Sequence, residues 1–146
     1  MTLCAAFEVY GTPAPQGSKK AFNAKDGRAM LKESSPIHAV WRNQIATVAK
    51  EQAKNHDNIA LDGALTLVVV FRFKMPKNRP KAVRMHGTAP RIIAPDTDKL
   101  VRNVCDGLQA GGLICDDARI CNLHASKIET TGWTGAEISI YRTDDP

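Results

Sequence analysis

Apolar residues recur along the chain with two periods. Leu3, Ala5, Phe7 and Val9 alternate with Cys4, Ala6, Glu8 and Tyr10, which predicts a half-buried first strand. The following Gly-Thr-Pro-Ala-Pro-Gln stretch breaks that ladder, because its two prolines carry no donor, and it runs into Lys19, Lys20, Lys25, Arg28 and Lys32. Ser34-Ser35-Pro36 reads as a helix start, a hydroxyl cap with proline in the first turn. Ile37, Val40, Trp41, Ile45, Val48 and Ala49 then return at three- and four-residue steps and predict an amphipathic helix of about 18 residues. Leu65, Leu67, Val69, Phe71 and Phe73 form the clearest strand, and Val68 and Val70 on its other face mark it as central. A second helix is predicted over 98–108 with the stripe Leu100, Val101, Val104 and Leu108, ended by Gly111-Gly112. Strands follow over 119–129 and 136–142. Between the central strand and the second helix, residues 74–91 contain three prolines and read as a long loop. The order predicts an α+β fold, a small mixed sheet with two main helices packed on it.

A length of 146 residues favours one domain over 1–146 with its own core. At 43% apolar and 24% charged residues, disorder, collagen and coiled coil are excluded. No apolar run is long enough to span a membrane, and Glu8 comes too early for a signal peptide, so a soluble cytoplasmic protein is expected. Cys4, Cys105, Cys115 and Cys121 form no CxxC pair and are expected to be buried free thiols rather than zinc ligands with His124. His86 and His124 are expected to be ordinary surface or strand residues.

The net charge of +5 conceals a polarity. Residues 1–91 carry 15 basic and 6 acidic side chains, and residues 92–146 carry 5 basic and 9 acidic ones. Such a division fits a polyanion on one part and a cation on the other, although a merely polarised surface gives the same count. The basic candidates for phosphate contact are Lys19, Lys20, Lys77, Arg79, Lys81 and Arg84.

The acids concentrate in Asp96, Asp98, Asp106, Asp116 and Asp117, relieved only by Lys99 and Arg102. Asp96 and Asp98 project to one side of an extended segment. A helix and a glycine turn can bring Asp116-Asp117 back toward them. Clustered carboxylates repel one another unless a cation intervenes, and hard oxygen ligands suit Mg²⁺ or Mn²⁺. Beside a basic surface, that is equipment for metal-assisted phosphodiester hydrolysis. Two plainer readings stay open: Asp98 as a helix cap, and Asp116-Asp117 as turn residues.

The run Asp96-Thr-Asp98-Lys-Leu-Val-Arg102, then Asp106-Gly-Leu108, then Asp116-Asp117-Ala-Arg-Ile120, with Lys127 on the next strand, resembles the RusA family of Holliday junction resolvases. The family pattern is D-x-D-N-L-x-K, D-A-L and D-D-x-Q-[VI]. The opening Gly11-Thr-Pro13-Ala-Pro15 with basic residues behind it, and Trp41, are similar to the family as well, so the likeness covers roughly residues 7–140. The resemblance implies a phage-type, homodimeric α+β endonuclease that cuts four-way DNA junctions with Mg²⁺ or Mn²⁺. Asp96, Asp98 and Asp117 would be its catalytic, metal-binding carboxylates with Asp116 beside them, and Lys127 would join the DNA-binding set. Arg102 stands where the family has a catalytic Lys. A guanidinium contacts phosphate bidentately but cannot act as an acid near neutral pH. Lys99 replaces the common Asn, and Gly107 the usual Ala. A non-catalytic branched-DNA-binding module, or a nuclease for other branched or single-stranded DNA, are the alternatives. The PD…(D/E)xK nuclease pattern competes less well, since Ala125 stands two residues before Lys127.

Overall fold

A computed structural model describes residues 1–16, 19–23, 29–33 and 37–143, with side chains for 1–16 and 37–143. The elements are β1 (Thr2–Tyr10), β2 (Lys19–Asn23), β3 (Ala29–Glu33), α1 (Ile37–Ala53), β4 (Leu65–Lys74), α2 (Lys81–His86), β5 (Thr88–Pro90), α3 (Thr97–Ala110), β6 (Ile120–Thr130) and β7 (Gly135–Arg142). Short 3-10 turns at Lys54–His56 and Asp117–Arg119 follow α1 and precede β6.

Five strands form one mixed sheet in the order β1-β7-β4-β6-β5. β4 is central: it runs parallel to β6 and antiparallel to β7, which in turn pairs antiparallel with β1. Its inward residues Leu65, Leu67, Val69 and Phe71 are buried, while Val68 and Val70 on the other face are half-buried. The inward row packs against Trp41, Ile45 and Ala49 of α1 and Leu100, Val104 and Leu108 of α3 in a single apolar cluster. α1 and α3 approach closely because α3 presents glycine to α1. A Cβ on Gly107 would stand 2.7 Å from Cγ2 of Ile45, and one on Gly111 would stand 2.5 Å from the carbonyl oxygen of Ala46.

The structure corrects three expectations. The buried stripe of α1 is His38, Trp41, Ile45, Ala49 and Ala53, whereas Ile37 and Val40 are 59% and 60% exposed. A shift of one residue turns a helix by about 100°, so those two apolar residues ride on the flank. Residues 74–91 are not one loop but contain α2 and β5. Of the cysteines, only Cys105 is buried; Cys115 and Cys121 are exposed and Cys4 is intermediate. Cys115 follows the β-bridge of Leu61 to Ile114 at the surface, and Cys121 sits at the irregularity where β6 gains a residue over β4.

β2 and β3 pair antiparallel as a separate two-stranded ribbon, from Lys19 opposite Glu33 to Asn23 opposite Ala29. The expected Ser34-Ser35-Pro36 helix start lies outside the described residues. Among the described residues, no helix is long and apolar enough to cross a membrane.

Candidate active site and nucleic-acid interface

α3 carries one pair of carboxylates at its start. Asp96 takes the N-cap position in an extended conformation, and its carbonyl oxygen accepts from Leu100 N at 3.1 Å. Its carboxylate makes no capping hydrogen bond; it lies exposed, 3.5 Å from Lys99 Nζ. Asp98 belongs to the first turn, so it is not the cap residue, and its negative charge is favoured by the helix dipole there. Arg102 follows one turn later on the same face and is exposed.

The other carboxylates gather at the opposite end of the helix. Asp116 caps the 3-10 turn before β6, its Oδ1 accepting from Ala118 N at 2.9 Å, so for Asp116 the turn-residue reading holds. Asp117 N donates to Oε1 of Gln109 in the last turns of α3 at 3.2 Å. The Ala118 N–H holds the Asp116 carboxyl below the usual range. Asp117 moves the other way: its hydrogen bond with Asp116, a small loss of hydration and the charges of Asp116 and Asp106 raise its proton affinity. The Cys105 thiol is pushed up to about 12, by burial first and then by Asp117 and Asp106. Asp106, Asp116 and Asp117 thus share one negative field.

The two ends are far apart. From Asp96 to Gln109 the helix rises about 20 Å, and from Asp98 to Asp106 about 12 Å. Among the described residues, no three His, Cys, Asp or Glu side chains converge as a metal site. The expected gathering of both aspartate pairs is therefore not present within one chain, because the connecting helix lies along the sheet and holds them at its two ends.

The basic segment is organised by a residue that sequence reasoning missed. Glu129, 1% exposed near the end of β6, accepts two hydrogen bonds from Arg79 at 2.7 and 2.9 Å and one from Arg91 at 3.3 Å. Arg79 foremost, then Arg91, keeps the Glu129 carboxyl below its usual range despite burial. Arg91 also donates to Ala94 O, stacks on Phe73 at 4.4 Å, and joins Lys127 O through its backbone N–H. Lys127 Nζ donates to Ile93 O at 2.9 Å and Pro95 O at 2.7 Å. Together these contacts fix the segment that delivers Asp96. The available signal was compositional: residues 74–91 hold six basic side chains and no acid, so a neutralising carboxylate had to come from elsewhere.

Several of the candidate DNA contacts have partners within the protein. Arg79 is committed to Glu129, Lys127 to two carbonyls, and Arg84 to Pro76 O at 2.9 Å. Lys77 and Lys81 are exposed and open to phosphate. Lys19 and Lys20 lie in β2, whose side chains are outside the described set. The chain leading into that ribbon is anchored beside Asp96. Gln16 N donates to Lys99 O at 3.1 Å, and Asn103 Nδ2, buried in α3, donates to Ala14 O and His38 O at 3.0 Å each. Pro15, Ala94, Pro95, Asp96 and Lys99 line a surface cleft at this junction. His86 and His124 are exposed, as expected for ordinary surface positions.

A family model, described as endodeoxyribonuclease RusA, matches residues 11–141. No curated protein matches the chain.

Proposed function

The chain belongs to the RusA endodeoxyribonuclease family, and on that footing we propose that it resolves four-way DNA junctions by paired phosphodiester hydrolysis, as a homodimer that requires Mg²⁺ or Mn²⁺. The observation that carries the reading is the family match over 11–141, a span that contains Asp96, Asp98 and Asp117. Among the described residues, no three carboxylates converge on one cation, Asp96 and Asp98 standing at the start of α3 and Asp117 past its end, so no ligand set is assigned within one chain.

The chain's own groups have separable tasks in this proposal. Lys77 and Lys81 attract the sugar–phosphate backbone. Arg102, exposed one turn after Asp98, faces a phosphate as a permanently charged fork and transfers no proton. Asp117, with its raised proton affinity, is suited to take a proton from an attacking water.

A synthetic four-way junction incubated with the protein and Mg²⁺ should yield symmetric nicks. Asp96→Asn and Asp117→Asn should each abolish cutting while leaving binding intact, because removing a carboxylate lowers repulsion toward phosphate. Normal cutting by both variants would show the site assignment to be wrong. Fork, flap, duplex and single-stranded substrates in the same assay distinguish a junction resolvase from a broader branched-DNA nuclease.

A further inference from the structure

β1 stands at one margin of the sheet, with β7 as its neighbour on the inner side. Gly11 N donates to Thr134 O at 3.2 Å, which sets the phase of that pairing. Val9, Phe7 and Ala5 turn their backbone groups toward β7, opposite Ala136, Ile138 and Ile140, while Tyr10, Glu8 and Ala6 turn theirs away from it. Cys4 is already satisfied on the outward side, its carbonyl oxygen lying 3.0 Å from His56 Nε2. Among the described residues, none pairs with the outer edge of β1 from Ala6 to Tyr10.

That edge borders a groove whose other wall is α1. A cleft of about 660 Å³ is lined by Phe7 and Glu8 of β1, Glu137 of β7, and Val48 and Gln52 of α1. A second cleft of about 310 Å³ shares Glu8, Tyr10 and Val48 with it and extends to Gln44 and Thr47. The two sides of the edge differ in chemistry. Toward the helix, Phe7 and Val48 pack against the core while staying partly open, and so offer an apolar seat. On the other face, Glu8 and Glu137 form a directly opposed pair of the non-hydrogen-bonded kind, with Cα atoms about 4.5 Å apart. Like charges so placed repel, and among the described residues neither carboxylate is in an ion pair. Beside them Tyr10, 63% exposed, donates its hydroxyl to Glu8 at 2.5 Å and packs edge-on against Trp133, with ring centres 5.0 Å apart. Carboxylates flanked by aromatic rings make a seat for a cation.

We propose that the β1 edge is a docking site for an extended segment of a partner protein in which basic and apolar residues alternate, added as a further strand in the groove against α1. The backbone groups of Ala6, Glu8 and Tyr10 hold its main chain, while side chains of alternate residues fall on the two faces. Apolar ones seat on Phe7 and Val48, and Lys or Arg ones reach Glu8 and Glu137. Charge selects this occupant. The carboxylate pair repels DNA phosphate, and β1 itself contains no Lys or Arg with which a second copy could answer it. Edges are normally blunted by Lys, Pro or a covering element; from Ala5 to Tyr10 the only charge is Glu8, which turns away acidic strands and admits basic ones. β7 and β4 separate β1 from β6, about 14 Å across the sheet, so a docked strand leaves the Asp117 turn before β6 uncovered. Binding at this edge is independent of the proposed nuclease activity.

A short, fluorescently labelled synthetic peptide of alternating Lys and Val tests this against a counterpart of alternating Glu and Val. Anisotropy reads affinity, and amide hydrogen exchange followed by nuclear magnetic resonance reads position. The Lys peptide should bind at least about tenfold more tightly than the Glu peptide. It should slow exchange at Ala6, Glu8 and Tyr10 and leave Phe7 and Val9, already bonded to β7, unchanged. Glu8→Lys should abolish the preference. Ala6→Pro removes a donor that points away from β7, so that variant should keep its native circular dichroism and lose the Lys peptide. Equal affinity for the two peptides, no binding of the Lys peptide, or protection away from β1 overturns the proposal. So does slow exchange at the three amides in a parent that sediments as a dimer and is dissociated by Ala6→Pro, which gives the edge to a second copy. Protection of the same amides by a synthetic four-way junction overturns it in favour of nucleic acid. Should Ala6→Pro fail to fold, Glu8→Lys decides: an undiminished preference for the Lys peptide in that variant overturns the proposal.

Discussion

Replacing Gly107 with alanine adds a methyl group where α1 and α3 touch, and so tests the packing that fixes the helix bearing Asp98 and Arg102. The new Cβ would lie 2.7 Å from Cγ2 of Ile45, 2.8 Å from its Cβ and 3.1 Å from the carbonyl oxygen of Arg42. Carbon atoms settle at about 3.5–4.0 Å, so relief needs roughly an ångström. Rotation of Ile45 gives little of it, since the Cβ is fixed to the backbone and χ1 of a β-branched residue is stiff in a helix. The helices must part instead. Overpacking costs about 1–3 kcal/mol, and two contacts below 3 Å place this case in the upper half. Alanine recovers about 1 kcal/mol through helix propensity. The balance is a loss of about 1–2 kcal/mol, or about 2–8 °C in Tm for a chain of this size. Urea midpoints and thermal melts followed by circular dichroism read it. Ile45→Ala alone should cost about 2–5 kcal/mol, and in the Gly107→Ala background the extra methyl fills part of the hole, so the double variant should beat the sum of the singles by at least about 0.5 kcal/mol. A Gly107→Ala protein as stable as the parent would refute the close approach.

Three further outcomes are expected. Because Arg79 and Arg91 hold Glu129 below its ordinary value of 4.5, the stabilisation is complete above that value and is lost as pH falls through the lower, folded one. Glu129→Gln should therefore weaken the fold at neutral pH and flatten the acid limb of its denaturant midpoint against pH; an acid limb parallel to the parent's would count against the pairing. Asp117 has the opposite sign: its folded value lies above 3.8, so its ionisation costs stability as pH rises. Asp117→Asn should raise Tm at pH 7 but not at pH 3 while cutting is lost, and an unchanged Tm at pH 7 would contradict the raised proton affinity. Lys77→Ala and Lys81→Ala should each reduce the slope of log affinity against log salt by about 0.9 with Tm unchanged, whereas Arg79→Ala should lower Tm with the smaller effect on that slope. The reverse ranking would overturn the division between free and committed basic residues.

The parts legible in the sequence are those whose partners are either many or local. β4, α3 and β7 followed from period alone, because each buries a regular face against a large core, and β6 followed from its alternation although only Glu129 and Thr130 in it are buried. α1 was visible as a helix, yet its stripe began one residue late, since Ile37 and Val40 are as apolar as the residues that are buried. The ribbon of β2 and β3 was hidden because its five-residue strands mix Lys, Ala, Phe and Asn without alternation. α2 and β5 were hidden because what holds their segment is Glu129, about fifty residues away in sequence. The carboxylates were legible as residue types and spacing, but not as a site. Spacing shows that a helix and a turn can return the chain; only the fold shows that the return ends a helix length from where it began.

The same accounting revises the meaning of the charge polarity. The basic excess of residues 1–91 looked like a count of phosphate contacts. Arg79 and Arg91 are held by Glu129 from the acidic part, and Arg72 by Trp133 O at 3.0 Å with its guanidinium 4.2 Å above the Trp133 ring. These cations tie the basic part of the chain to the acidic part instead of standing free in solvent. Among the described residues, the basic side chains without such commitments include Lys77, Lys81 and Arg102, all exposed. On the proposed nuclease reading, phosphate would be drawn to those few exposed side chains and not to the net charge as a whole.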